Sequence, residues 1–64
     1  MTIGSNIRNK RFSKGYNQFN MAQMLNVSEN TYRKIEGDKV VLKDERLEKI
    51  AKILDTTVMN LKKA

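Results

Sequence analysis

Residues 17 to 36, NQFNMAQMLNVSENTYRKIE, form two short apolar-faced segments separated by residues that stop one helix and start the next. Asn17 can cap a first helix whose apolar side is Met21, Ala22 and Leu25. Ala22 is small where a second helix has to pass close by. Asn26 tolerates the left-handed conformation in which helices often end, Val27 fills the turn, and Ser28 offers a hydroxyl to a free amide of the next helix. That second helix, Glu29 to Glu36, is apolar only at Tyr32 and Ile35. Its other face carries Asn30, Thr31, Arg33 and Lys34, all able to bond base edges or phosphates in a major groove.

The flanking sequence reads as further helices. Ile3, Ile7 and Arg11 recur at helical spacing and predict a first helix from about Ile3 to Lys14, with Gly15 as its left-handed stop and Tyr16 as an inward anchor. After Glu36, Gly37-Asp38-Lys39 predicts a turn and Val40-Val41-Leu42 an extended loop. Asp44 and Glu45 favour a helix start, because carboxylates oppose the positive end of the helix dipole. Leu47, Ile50, Ala51 and Leu54 then form an inward stripe, and Asp55 stands where that helix should stop. Thr57 can cap a last short helix with Val58 and Leu61 facing the core, leaving Lys62 to Ala64 as a frayed end. The expectation is an all-α chain, a compact five-helix bundle forming one domain over residues 1–64.

Composition narrows the chemistry. With 64 residues and neither cysteine nor histidine, a disulfide framework, thiol chemistry and the usual zinc ligand sets are excluded. The carboxylates are dispersed among lysines on helix faces, so no nucleophile and base or metal constellation can be drawn. The expectation is a non-enzyme with no metal and no cofactor. No apolar run approaches the ~20 residues of a membrane span, and MTIGSNIRNK lacks the apolar core of a signal peptide, which places the chain in the cytoplasm. The net charge of +6 is uneven, with eight Lys and Arg against three acids in residues 1 to 43 and five against four in residues 44 to 64. The excess therefore sits with the second helix of the pair, which suits a polyanionic partner.

The chain resembles the Cro/CI-type, XRE-like helix-turn-helix domains of phage and bacterial regulators. The residues that carry the likeness are Ile7 and Arg11, Gly15-Tyr16-Asn17-Gln18, Met21-Ala22, Leu25-Asn26-Val27-Ser28, Ile35-Glu36, Leu47 to Ala51, and Leu54. They occur in order, at the family's spacing and without a gap. The resemblance implies a lambda repressor-like fold and a sequence-specific regulator, expected to be a repressor, that binds a palindromic double-stranded DNA operator as a dimer. The helix 29–36 would enter the major groove.

It also implies roles for individual residues. Glu29, Asn30 and Lys34 match positions that reach base edges, and Arg33 lies close enough to an outer base or the backbone. Gln18 matches a glutamine that bonds a backbone phosphate and braces the reading helix, and Ser28, Thr31 and Lys39 complete the expected backbone contacts. Arg11 and Glu36 match a partly buried ion pair joining the first helix to the end of the third. Asparagine can bond adenine through both ends of its amide, which makes Asn30 the first choice for a base contact. Glu29 could accept from a cytosine amino group, repel wrong sequences, or simply favour the helix dipole.

Some positions depart from the family pattern. Gly37-Asp38-Lys39 replaces the common Asn-Gly-Lys, so the turn can differ by one residue. Phe19 stands where a charged residue is usual and is expected to pack, with a thymine methyl or a partner as the other options. The homodimer surface is expected around Val40-Val41-Leu42 and the last helix, including Met59 and Leu61, unless these residues close the core. The other reading is a protein partner, as for an antitoxin or an adaptor of the same fold. An ending soon after the fifth helix leaves no tail expected for a toxin.

Overall fold

In the computed structural model, residues 2–63 are described and fold as α1 (Ile3–Lys14), α2 (Gln18–Leu25), α3 (Glu29–Glu36), α4 (Asp44–Ile53) and α5 (Val58–Lys62), with no strand among them. Each boundary has a local cause. Side chains of Thr2, Asn17, Ser28 and Thr57 accept from backbone amides three residues on, which satisfies donors that a helix start would otherwise leave free. Asn17 and Asn20 do so reciprocally, as a capping box. Only α4 lacks a side-chain cap; its first turn carries Asp44 and Glu45 instead.

The first four helices end at left-handed residues. Gly15 takes φ 75° after α1, Asn26 takes 58° between α2 and α3, and Asp55 takes 55° after α4. In the turn expected at Gly37-Asp38-Lys39, Gly37 has φ −85°, and Asp38 takes the left-handed place at 58°. The reason lies at the start of α1, where the Gly4 amide donates to Asp38 Oδ1 at 2.9 Å. Asp38 thereby accepts one of the free donors of α1, and its carboxyl is held below the ordinary range by hydrogen bonds from the Thr2 side chain and this amide.

One apolar core joins all five helices. Ile7 of α1, Met21, Ala22 and Leu25 of α2, Tyr32 and Ile35 of α3, Leu47, Ile50 and Ala51 of α4, Leu54 and Leu61 are buried together. Ile3, Tyr16, Val27, Leu42, Ile53 and Val58 pack around it. Leu61 and Leu42 therefore close the core, whereas Val41 and Met59 remain 95 % and 75 % exposed. The expectation that Phe19 packs is corrected: it is 52 % exposed, because its place in the first turn of α2 lies off the Met21–Ala22–Leu25 face. Asn6, which sequence reading passed over, donates through Nδ2 to the Leu61 carbonyl at 2.9 Å and to that of Lys63, tying α5 to α1.

Two substitutions test this packing. Ala22 is 2 % exposed where α2 meets α3, so Ala22→Leu should lose ~1–3 kcal/mol in a urea melt through overpacking. At Gly4 an added Cβ would collide with the Glu36 carbonyl oxygen and lie 2.8 Å from Asp38 Oδ1. Helix propensity favours alanine there by up to about 1 kcal/mol, but backbone cannot swing aside as a side chain can, so Gly4→Ala should be destabilising. A higher melting temperature for Gly4→Ala would refute the close approach of α1 to the end of α3.

Candidate nucleic-acid interface

Where the third helix ends against the first, Glu36 and Arg11 are 9 % and 6 % exposed. Arg11 Nε donates to Glu36 Oε2 at 2.6 Å and Nη2 to Oε1 at 3.2 Å, a two-pronged contact between α1 and α3. The Tyr32 hydroxyl donates to Oε2, and Gln18 Nε2 donates to Oε1 at 3.3 Å. Arg11 Nη1 donates to the Tyr16 carbonyl at 3.0 Å, and the guanidinium carbon lies 4.7 Å from the centre of the exposed Phe12 ring. No buried side-chain polar atom among the described residues lacks a partner. The charges are out of water but fully answered, the condition under which a buried pair is tolerated.

The protonation states follow from these contacts. Burial by itself would raise the Glu36 carboxyl, but the hydrogen bonds from Arg11, Tyr32 and Gln18 outweigh it and hold the group below its ordinary value. The bond to Glu36 raises the Arg11 guanidinium against a smaller desolvation effect. Burial and the bond to Glu36 push the Tyr32 hydroxyl far above the ordinary phenol range, so it stays a donor.

Gln18 carries this buried group to the surface. Its Oε1 accepts from Arg33 Nε at 3.2 Å, and Arg33 Nη2 donates to Glu29 Oε2 at 2.9 Å. Glu29 and Arg33, separately expected at base edges, are thus engaged with each other along one face of α3. Asn30 and Lys34 are exposed and one turn apart, and their side chains have no hydrogen-bond partner among the described residues. Their side chains are free for a ligand.

The expected backbone-contact residues fall into two kinds. Ser28 Oγ accepts from the Thr31 amide at 3.1 Å and donates to Thr31 Oγ1 at 2.9 Å, so its own proton is spent inside the protein. Thr31 keeps a hydroxyl proton to give away. Lys39, beyond the left-handed Asp38, is exposed at the far end of α3. The loop after it holds Val40 and Val41 at the surface.

Elsewhere, no group of three or more His, Cys, Asp or Glu among the described residues could hold a metal ion. None of the described helices is long and apolar enough to cross a membrane. Two further ion pairs, Lys14–Asp55 at 3.5 Å and Lys62–Asp44 at 3.4 Å, are largely solvent-exposed and contribute little.

Comparison with known proteins gives one result. The family model described as helix-turn-helix matches residues 7–59, which runs from Ile7 within α1 to the first part of α5 and includes Arg11, Gln18, Glu36 and all of α3. No curated protein and no solved structure matches the chain significantly.

The buried pair yields a pH prediction. A carboxyl held below its ordinary value of 4.5 contributes stability that is present above that value and is lost as pH falls through its lowered, folded value. Urea melts of the wild type should therefore show stability declining below about pH 4.5. Glu36→Gln, which strands Arg11, should cost ~3–5 kcal/mol at neutral pH and show a shallower acid decline. Parallel pH profiles for the two proteins would mean that Glu36 does not titrate as a bonded carboxylate.

Proposed function

The chain belongs to the Cro/CI-like helix-turn-helix family of DNA-binding transcription regulators, and on that premise we propose that it represses transcription by occupying a twofold-symmetric operator as a dimer. The observation that carries this reading is the pair Asn30 and Lys34, two polar side chains without internal partners on the exposed face of a helix anchored to the core by Tyr32 and Ile35. In a major groove Asn30 bonds adenine through both ends of its amide, and Lys34 reaches guanine or an adjacent phosphate. Gln18, Thr31 and Lys39 contact the sugar-phosphate backbone, with Ser28 holding Thr31 in place, and these contacts fix register without reading sequence.

Two copies set α3 in successive major grooves about 34–36 Å apart on one side of the duplex. Val41 and Met59, the two most exposed large apolar residues among those described, support a contact between copies. So small a surface gives a dimer that forms mainly on DNA. Leu42 and Leu61 take no part in it, being used in the core.

Selection of bound duplexes from a random pool at near-physiological salt tests the whole reading, and an inverted repeat is the expected product. Recovery of salt-sensitive binding with no preferred sequence would reject it. On the recovered operator, Asn30→Ala should relax preference at one base pair per half-site, at ~1–3 kcal/mol. Lys39→Ala should weaken all sequences alike and reduce the salt slope by about one. An equal loss on every duplex for Asn30→Ala would remove it from the base-reading set.

A further inference from the structure

Glu36, ionised, can only accept hydrogen bonds, so Gln18 must turn its NH2 toward it. The Gln18 carbonyl is then left facing Arg33, which can only donate. Arg33 gives Nε to Gln18 and Nη2 to Glu29, two bonds from one edge of the guanidinium, and the edge carrying Nη1 stays free. The polarity of each bond in the series Arg11, Glu36, Gln18, Arg33, Glu29 is thus dictated by the one before it. The last pair is exposed at its side chains, 59 % for Arg33 and 39 % for Glu29, so as an i,i+4 pair it adds little to stability. What it does is aim: Arg33 is drawn back toward the start of α2, away from the neighbouring Asn30 and Lys34, which carry no such restraint.

We propose that Glu29 reads no base and is a positioning residue for Arg33, and that Arg33, held between Glu29 and Gln18, contacts the phosphate backbone beside Gln18. This rests on the DNA-binding reading above and assigns Glu29 and Arg33 within it. The tether also neutralises Glu29, whose carboxylate would otherwise repel the phosphates. It leaves the choice of sequence to Asn30 and Lys34.

A double-mutant cycle on the full chain tests this, with Glu29→Ala, Arg33→Ala and the double variant measured on the selected operator and on an unrelated duplex over a range of salt. Both residues are on the surface, and thermal melts verify the fold. Arg33→Ala should weaken both duplexes by the same factor and lower the salt slope by about one, with the base preferences unchanged. Glu29→Ala should keep or lower affinity beside Arg33 but raise it in the Arg33→Ala background, where it removes an unpaired negative charge. The two factors should differ by at least about twofold. The same factor in both backgrounds, or loss of preference at one base pair in Glu29→Ala or Arg33→Ala, overturns the proposal.

A measurement without DNA separates this from the reading beneath it. By NMR, the Arg33 Nε proton should exchange with solvent more slowly than that of Arg8, whose side chain has no hydrogen-bond partner among the described residues, and Glu29→Ala, which leaves Gln18 alone to hold the guanidinium, should narrow the difference. Exchange as fast as at Arg8 in the wild type overturns the positioning role whatever the DNA result. If the wild type bound no duplex, the DNA reading would fail and take the phosphate contact with it, and slow exchange would still uphold the tether.

Discussion

Two opposite charges taken out of water in a 64-residue chain constrain everything near them. Arg11 and Glu36 join the first helix to the end of the third, and each lone pair of the carboxylate is claimed by Arg11, Tyr32 or Gln18. An apolar pair of similar volume could hold those helices together as well, since desolvation cancels much of what a buried ion pair gains. It could not pass on a direction. Because Glu36 accepts and never donates, the orientation of the Gln18 amide is fixed, and through it the position of Arg33. The buried pair therefore also orients side chains at the surface, Gln18 on α2 directly and Arg33 on α3 through it.

The same division between fixed and free groups runs across α3. Ser28 spends its proton on Thr31, Glu29 is engaged by Arg33, and Tyr32 and Ile35 are committed to the core. Asn30 and Lys34 alternate with these fixed residues along two turns. A helix packed against α1 and α2, with those fixed side chains already engaged, presents few rotatable groups to a ligand, so little conformational freedom has to be lost on binding.

Much of the fold was legible because its signals are local. The expected ranges Ile3 to Lys14 and Glu29 to Glu36 coincide with α1 and α3, and the caps at Asn17, Ser28 and Thr57 stand where side-chain chemistry puts them. Asn26 and Asp55 adopt the left-handed geometry their short polar side chains tolerate. What the sequence concealed is contact between distant residues. Gly37-Asp38-Lys39 could be read as a turn, but not that Asp38 turns left-handed and that its carboxylate meets an amide 34 residues earlier. Gly4 matters for an absent atom, since it lets α1 approach backbone at the end of α3. Within the interface, the identities of Gln18, Glu29 and Arg33 could be picked out one by one, but their mutual engagement needed the crossing of α2 and α3 in space.

Tyr32 has a use outside recognition. The chain has no tryptophan and only two tyrosines, so its tyrosine emission comes from Tyr16 and Tyr32. A phenol bonded to a carboxylate loses its excited state by passing its proton along that bond, and Tyr32 is so bonded to Glu36. One of the two tyrosines thus takes part in the very contact that joins α1 to α3. The protein thereby carries an unlabelled optical gauge of that joint, since parting the helices changes the surroundings of one tyrosine and not of the other.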